Sequence, residues 1–143
     1  MKLNFPNIKM KALSILLVED DEIIRLKFKK VCKNLKANHS VVEAENGEKG
    51  LAVLANHHFD LIISDLKMPV MNGITFIKNV KKDDRFKKIP LVVMTTSEEE
   101  EDMQQCNNLC VDGYFLKSLN FKKYEQEVIS ILDYWSTKEK VIS

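Results

Sequence analysis

The chain is poor in the residues that mark several large classes of protein. It has four glycines, and they do not form the G-x-G-x-x-G turn that cradles the phosphates of a dinucleotide. Its three cysteines form no C-x-x-C pair, so we expect a reduced cytoplasmic protein rather than one built on a disulfide framework. No apolar run reaches the ~18 residues that a membrane span needs, and we expect no membrane association.

Neither sign of charge dominates the sequence. Lys and Arg number 22 while Asp and Glu number 21, so the net charge of +1 provides no overall field that would attract nucleic acid or an anionic membrane. With 143 residues, of which 45% are hydrophobic, the chain can bury one substantial core. We therefore expect one domain at 13–135, a loosely attached arm at 1–12, and a tail at 136–143 that is too short for an output domain.

Apolar runs alternate with segments of helical period along the chain. The apolar face of the first predicted helix carries Ile24, Phe28, Val31 and Leu35. Spacings of three and four residues place these side chains on one side of a helix. Strands are predicted at 13–18, 40–43, 60–64, 91–95 and 113–116. This alternation is typical of βαβ units that build a parallel sheet, so the predicted fold class is α/β.

Two patterns predict where helices begin. Asn46 precedes Gly47 at the start of the second predicted helix, and asparagine is a preferred N-cap residue. Ser97 and Glu100 match the S-x-x-E capping box, which predicts that Ser97 caps the fourth helix. The acidic run at 98–102 then falls in the first turn of that helix, and we interpret it as a solvated surface.

Polar residues stand where the predicted strands end. They are Glu19, Asp20 and Asp21 after the first strand, Asp65 after the third, Thr95 and Thr96 after the fourth, and Lys117 after the fifth. In an open parallel sheet, ligands bind at the carboxyl ends of the strands. Carboxylates brought together there need a cation, and hard oxygen ligands select Mg2+. Asp65 is then the candidate nucleophile for forming an acyl phosphate, with Lys117 as the candidate counter-charge.

Several motifs together resemble bacterial response-regulator receiver domains, of which the chemotaxis regulators are the best known. They are ILLVEDD at 15–21, DLKMPVMNG at 65–73, Thr95 and Lys117, and the resemblance extends from about Leu13 to Trp135. It implies a doubly wound (βα)5, flavodoxin-like, three-layer α/β sandwich with a five-stranded parallel sheet of order 2-1-3-4-5. It also implies a phosphorylation switch of a two-component system that has no enzymatic activity beyond its own phosphorylation and dephosphorylation.

The resemblance implies a role for each matching residue. Asp65 matches the phosphoacceptor, and Lys117 matches the lysine that offsets charge on the phosphoryl group. Glu19 and Asp20 match the acidic pair that holds Mg2+ together with Asp65, with Asp20 as the direct ligand. Lys67 would supply its backbone carbonyl to the metal, while its side chain would lie where the family tunes loss of the phosphoryl group.

The switch and the partners follow from the same resemblance. Thr95 matches the hydroxyl that turns toward the phosphoryl group, and Tyr114 matches the aromatic residue that turns inward with it. The face formed by the fourth helix, the fifth strand and the fifth helix would then change. The implied partners are a sensor histidine kinase or a histidine phosphotransfer protein, and a downstream protein target, with the chain a monomer or weak dimer.

One position departs from the family pattern. The family usually has proline after the lysine, in a cis peptide, whereas Ser118 follows Lys117 here. A cis bond to serine would cost about 2.5 to 4 kcal/mol, so either the loop is rearranged or surrounding contacts bear that cost. Thr96 stands where a smaller residue is common. The Lys117–Ser118 pair and the aromatic-rich last helix are similar to regulators that act with phytochrome-type sensor kinases.

Two other functions compete with the switch. A Mg2+-dependent phosphatase of the haloacid-dehalogenase type also uses a strand-end aspartate, but it carries D-x-D, and position 67 is lysine. A flavodoxin-like cofactor binder would need a glycine-rich phosphate loop. A receiver that no longer takes phosphate would normally lack Asp20, Asp65 or Lys117, all of which are present.

Overall fold

The computed structural model describes residues 10–141, with side chains through residue 137, and five strands alternate there with five helices. The strands are β1 (Ser14–Val18), β2 (Ser40–Ala44), β3 (Leu61–Ser64), β4 (Leu91–Thr95) and β5 (Gly113–Leu116). The helices are α1 (Glu22–Lys33), α2 (Gly47–Leu54), α3 (Gly73–Lys82), α4 (Glu100–Asn108) and α5 (Phe121–Val141).

All four strand pairs are parallel, and the sheet order is β2-β1-β3-β4-β5. The predicted doubly wound α/β sandwich with strand order 2-1-3-4-5 is therefore confirmed. The chain runs outward from β1 to β2 and then crosses back to β3, so the strand order reverses between β1 and β3. Val18 at the end of β1 lies opposite Ser64 at the end of β3, which makes the residues that follow them neighbours.

Two buried layers cover the two faces of the sheet. Leu16 and Val18 of β1 pack with Phe76 of α3 on one face, whereas Ile15 and Leu17 pack on the other face. Successive side chains of a strand point to opposite faces. Because helices cover both faces, β1 is apolar at consecutive positions rather than at alternate ones. The opposite face is completed mainly by α1 and α5, including Phe28, Val128 and Leu132.

Helix starts were predicted correctly at one position and incorrectly at another. Asn46 caps α2 as predicted, and its side chain accepts from the backbone N–H of Lys49 at 2.9 Å. The capping box at Ser97 is wrong, because α4 begins at Glu100 with Glu99 at its N-cap position. The Ser97 hydroxyl instead accepts from the Glu99 N–H and donates to Asp102. Its partner is thus a buried side chain inside the helix.

The ends of the chain differ in what the structure describes. Residues 136–141, predicted as part of a tail, continue α5 through Val141. Residues 1–9 of the predicted arm and 142–143 of the predicted tail lie outside the described residues. In the described part of the arm, the backbone N–H of Lys11 donates to the carbonyl of Ser136 at 3.1 Å. Within residues 10–141, no helix has the length and apolar character needed to cross a membrane.

Candidate functional site

Three carboxylates meet at the carboxyl ends of β1 and β3. Glu19, Asp20 and Asp65 each offer an oxygen atom, and these atoms all lie within 4.8 Å of one another. The sheet produces this arrangement, since the backbone N–H of Asp65 donates to the carbonyl of Val18 at 3.0 Å. Glu19 and Asp65 are buried, whereas Asp20 is exposed. The predicted strand-end acids are therefore brought together on one side of the sheet.

Lys117 extends from the end of β5 into this acidic group. Its Nζ lies 2.6 Å from Glu19 Oε1 and 3.0 Å from Asp65 Oδ2, and all three side chains are less than a tenth exposed. The backbone N–H of Lys117 donates to the carbonyl of Thr95 at 2.7 Å, which holds the base of the side chain against β4. One buried ammonium thus faces two buried carboxylates.

The charges of this group depend on one another. Burial raises the pKa of Glu19, and the nearby ammonium of Lys117 opposes that shift. Burial lowers the pKa of Lys117, but the carboxylates of Asp65 and Glu19 raise it by more, so its net shift is upward and it stays charged. With three carboxyl groups against one ammonium, this group of side chains is suited to receive a further cation.

The loop after β3 holds Asp65 closely. Its Oδ1 accepts from the backbone N–H of Leu66 at 2.7 Å, so both carboxylate oxygens are engaged. A Cβ at Gly73 would lie 2.1 Å from the carbonyl oxygen of Asp65, which means that only glycine fits at the start of α3. In the loop between Asp65 and Gly73, the exposed Val70 has a φ of 68°, a left-handed conformation that is costly for a β-branched residue. The Asp65 carboxylate therefore rests on a tightly shaped turn.

Thr95 and Tyr114 both contact Ser97 in the loop between β4 and α4. Thr95 is fully buried, and its Oγ1 accepts from the backbone N–H of Ser97 at 3.3 Å. Tyr114 is half-buried and donates its hydroxyl to the carbonyl of Ser97 at 2.9 Å. Sequence reasoning identified Thr95 and Tyr114 but gave Ser97 only a helix-capping role, so it missed the contacts that Ser97 makes with both residues.

The side chain of Lys67 turns away from the three acids. Its Nζ lies 3.2 Å from Asp102 Oδ2 and 3.9 Å from Glu99 Oε2. Asp102 is buried, so the interpretation of the whole run 98–102 as a solvated surface is wrong at this one position. The backbone carbonyl of Lys67 as a metal ligand stays a prediction.

The loop after Lys117 accommodates serine without a cis bond. Every peptide bond in the described residues is trans, including the one between Lys117 and Ser118, so the loop is rearranged relative to the family pattern. Ser118 Oγ accepts from the backbone N–H of Asn120 at 3.1 Å. A small cavity of about 100 Å3 opens beside Lys117, and the exposed Thr96 lines its rim together with Phe121.

Comparison with known proteins agrees with this geometry. The sequence matches the response regulator receiver domain family over residues 15–129. Chemotaxis protein CheY-3 of Vibrio cholerae is 28% identical over 123 residues, which cover 86% of this chain and 94% of that protein. The crystal structure of a phosphorylated cyanobacterial phytochrome response regulator, RcpA, matches with a TM-score of 0.83 and 32% identity, covering 87% of this chain and 94% of that one. The Mn2+-bound form of response regulator Rcp1 matches with a TM-score of 0.81 and 30% identity over the same shares.

The receiver family match covers most of the chain, and the strand order and acidic site described above are those that its motifs imply. The chain therefore belongs to the response regulator receiver domain family of two-component signalling.

Proposed function

We propose that this chain is a phosphorylation switch in which Asp65 accepts a phosphoryl group from a phosphohistidine of a sensor kinase or a histidine phosphotransfer protein. The observation that carries the proposal is the placement of Asp65 between the Lys117 ammonium, at 3.0 Å, and the acids that follow β1. A carboxylate in this setting has a cation to offset incoming phosphoryl charge and a neighbouring acid group to hold a metal.

The transfer itself needs little covalent chemistry from the chain. A carboxylate oxygen of Asp65 attacks phosphorus, the new O–P bond forms as the P–N bond to the donor imidazole breaks, and the imidazole leaves with the electron pair. Leu66 holds one carboxylate oxygen by its backbone N–H, and Lys117 neutralises charge beside the other. Because Lys117 is buried, its charge acts with little screening by solvent.

The acidic group fits a divalent metal. Its three residues offer hard oxygen atoms within 4.8 Å of one another, and their three carboxyl groups outnumber the single Lys117 ammonium. We propose Mg2+ as the resident ion, held by Asp20, Asp65 and the backbone carbonyl of Lys67, with Glu19 supporting the site. When bound, Mg2+ would neutralise charge on the transferring phosphoryl group. The Mn2+-bound form of the similar regulator Rcp1 supports a divalent ion in this family.

The state of Asp65 would be reported through Thr95 and Tyr114. Both residues hold Ser97, so a Thr95 hydroxyl that turns to a phosphoryl oxygen releases the Ser97 N–H and loosens the support of Tyr114. The surface of α4, β5 and α5 would change with them and bind a downstream protein. We propose no other enzymatic activity and no contact with nucleic acid or membrane.

Further proposals concern the setting of the switch. The similarity to a cyanobacterial phytochrome response regulator supports a kinase of the phytochrome type as the donor. Three free cysteines, of which Cys32 and Cys106 are buried, support a reducing cytoplasmic location. We expect a monomer or a weak dimer.

Phosphoryl uptake from a small donor tests the proposal. The protein is incubated with acetyl phosphate and Mg2+, and its intact mass is measured with and without the metal. We expect the gain of one phosphoryl group that requires Mg2+ and is absent in Asp65→Asn. Asp60→Asn serves as the matched control, since Asp60 lies before β3 and binds the backbone N–H of Ser14. Uptake by Asp65→Asn at the rate of the unaltered chain would refute the proposal.

A further inference from the structure

Lys67 has a second set of partners that the phosphoryl-transfer scheme does not use. It follows Asp65 by two residues, yet its ammonium contacts Asp102 at 3.2 Å and Glu99 at 3.9 Å. Its side chain is 57% exposed, whereas that of Asp102 is 13% exposed. An ammonium on a long, half-exposed side chain can exchange partners at low cost, while the acid it leaves cannot move into water as easily.

Asp102 is distinct among the acids at the start of α4. The other four acids of the run, at positions 98–101, are exposed. Asp102 alone turns inward, where it accepts from the Ser97 hydroxyl at 2.6 Å. It therefore joins the loop that follows Asp65 to the loop that follows Thr95.

Ser97 connects this ion pair to the switch residues. Its side chain binds Asp102, its N–H donates to Thr95 Oγ1, and its carbonyl accepts from the Tyr114 hydroxyl. A change at Asp102 thus reaches Tyr114 through one intervening residue. This path starts at a different residue from the path that begins at the Thr95 hydroxyl, and the two paths meet at Ser97.

We propose that Asp102 is a positioning residue for Lys67, and that a phosphoryl group on Asp65 competes with Asp102 for the Lys67 ammonium. This proposal rests on the proposed phosphorylation of Asp65. A phosphoryl group carries more charge than a carboxylate and offers three strong acceptor oxygens. When Lys67 turns to it, Asp102 keeps its buried position but loses its cation. The Ser97 hydroxyl and the Lys67 ammonium both contact Oδ2 of Asp102, so loss of the ammonium alters the hydrogen bond that holds Ser97. The loop between β4 and α4 then receives the signal from Lys67 as well as from Thr95.

A double-mutant cycle with a phosphoryl mimic tests this competition. The probe is beryllofluoride with Mg2+, and its affinity is measured by titration for the unaltered chain, Asp102→Asn, Lys67→Met and the double variant. Removing the competitor in Asp102→Asn should tighten beryllofluoride binding about two- to fivefold, a range set by the modest strength of a partly exposed ion pair. In the Lys67→Met background, Asp102→Asn should have no effect on affinity.

Glu101→Gln is the matched control for this cycle. It removes one negative charge from the same helical turn, but Glu101 is exposed and its carboxylate accepts from the Gln105 side chain at 3.4 Å. We expect its beryllofluoride affinity to equal that of the unaltered chain. An equal change in Glu101→Gln and Asp102→Asn would show a general effect of helix charge and overturn the inference.

A second measurement needs no substitution at position 102. The side-chain carboxyl carbon of Asp102 should shift in the NMR spectrum of the unaltered chain when beryllofluoride binds, and should not shift in Lys67→Met. If beryllofluoride binds but Asp102→Asn does not change its affinity and the Asp102 signal does not shift, the inference is overturned while the proposed function still stands. Failure of the unaltered chain to bind beryllofluoride or to take phosphate from acetyl phosphate overturns both.

Discussion

The ammonium of Lys117 lies 3.0 Å from the carboxylate of Asp65, although 52 residues separate them in the chain. The same ammonium lies 2.6 Å from Glu19, so a single cation stabilises two buried acids. Such an arrangement depends on its lysine for stability as well as for chemistry. It also leaves negative charge in excess, which a divalent ion can neutralise.

Removing this lysine should destabilise the fold in a way that metal corrects. Lys117→Met leaves Glu19 and Asp65 buried without a cation, and we expect a loss of about 3 kcal/mol in the free energy of unfolding without divalent ions. Adding Mg2+ should restore part of that loss. Urea denaturation with and without Mg2+ measures both effects.

Lys29→Met provides the control for that substitution. Lys29 pairs with Glu43 at 2.8 Å, but both side chains are about one-third exposed or more, so the expected loss is within about 1 kcal/mol and independent of Mg2+. Equal losses in Lys29→Met and Lys117→Met would contradict the stabilising role assigned to the buried pair.

Adjacent acids should differ in their effect on metal binding. Asp20→Asn should weaken Mn2+ binding about tenfold or more, because it removes a charged oxygen from the acidic group. Asp21→Asn makes the same change one residue later. Asp21 caps α1 by accepting from the backbone N–H of Ile23, and asparagine can do the same, so Mn2+ affinity should stay nearly unchanged. Titration calorimetry distinguishes the two variants, and equal losses would place the metal elsewhere.

Thr95→Ala should separate phosphorylation of Asp65 from the structural response of Tyr114. The substitution leaves Asp65 and Lys117 in place but removes the oxygen that accepts from the Ser97 N–H. We expect uptake from acetyl phosphate to continue, while the NMR signals of the Tyr114 ring no longer respond. Thr96→Ala, at an exposed neighbouring position, should keep the response. An unaltered Tyr114 response in Thr95→Ala would rule out the relay.

The three cysteines should differ sharply in reactivity. Burial raises the pKa of Cys32 to about 12 and, together with the Asp102 charge, that of Cys106 to about 11. Their thiols are then almost entirely protonated at pH 8, whereas Cys110 is exposed. Iodoacetamide at that pH should add one group to the native protein, at Cys110, and three after denaturation. Rapid labelling of Cys32 in the native state would contradict the described core.

The acidic group was predictable from sequence because the sheet imposes it. Runs of buried apolar residues predicted parallel strands, and parallel strands bring their carboxyl ends to one edge. Glu19, Asp20, Asp65 and Lys117 follow such strands directly, so their convergence required no knowledge of side-chain conformation.

The contacts of long side chains were not predictable in the same way. The assignment of Glu19 to the metal site stays a prediction, but its hydrogen bond from Lys117 was not predicted and arises because the end of β5 brings the ammonium within reach. Lys67 contacts Asp102, which is the buried acid of the run 98–102 and lies in the first turn of α4. Which acid of this run faces inward depends on how α4 packs against its neighbours, and local sequence does not determine that packing.

The most direct measurement locates the phosphoryl group itself. Borohydride reduces an acyl phosphate to an alcohol, so a phosphorylated aspartate is converted to homoserine, which peptide mass mapping identifies. After incubation with acetyl phosphate and Mg2+, we expect homoserine at position 65 and unmodified aspartate at position 20. Homoserine at position 20, or a phosphoryl gain that borohydride leaves unreduced, would contradict the assignment of Asp65 as the phosphoacceptor.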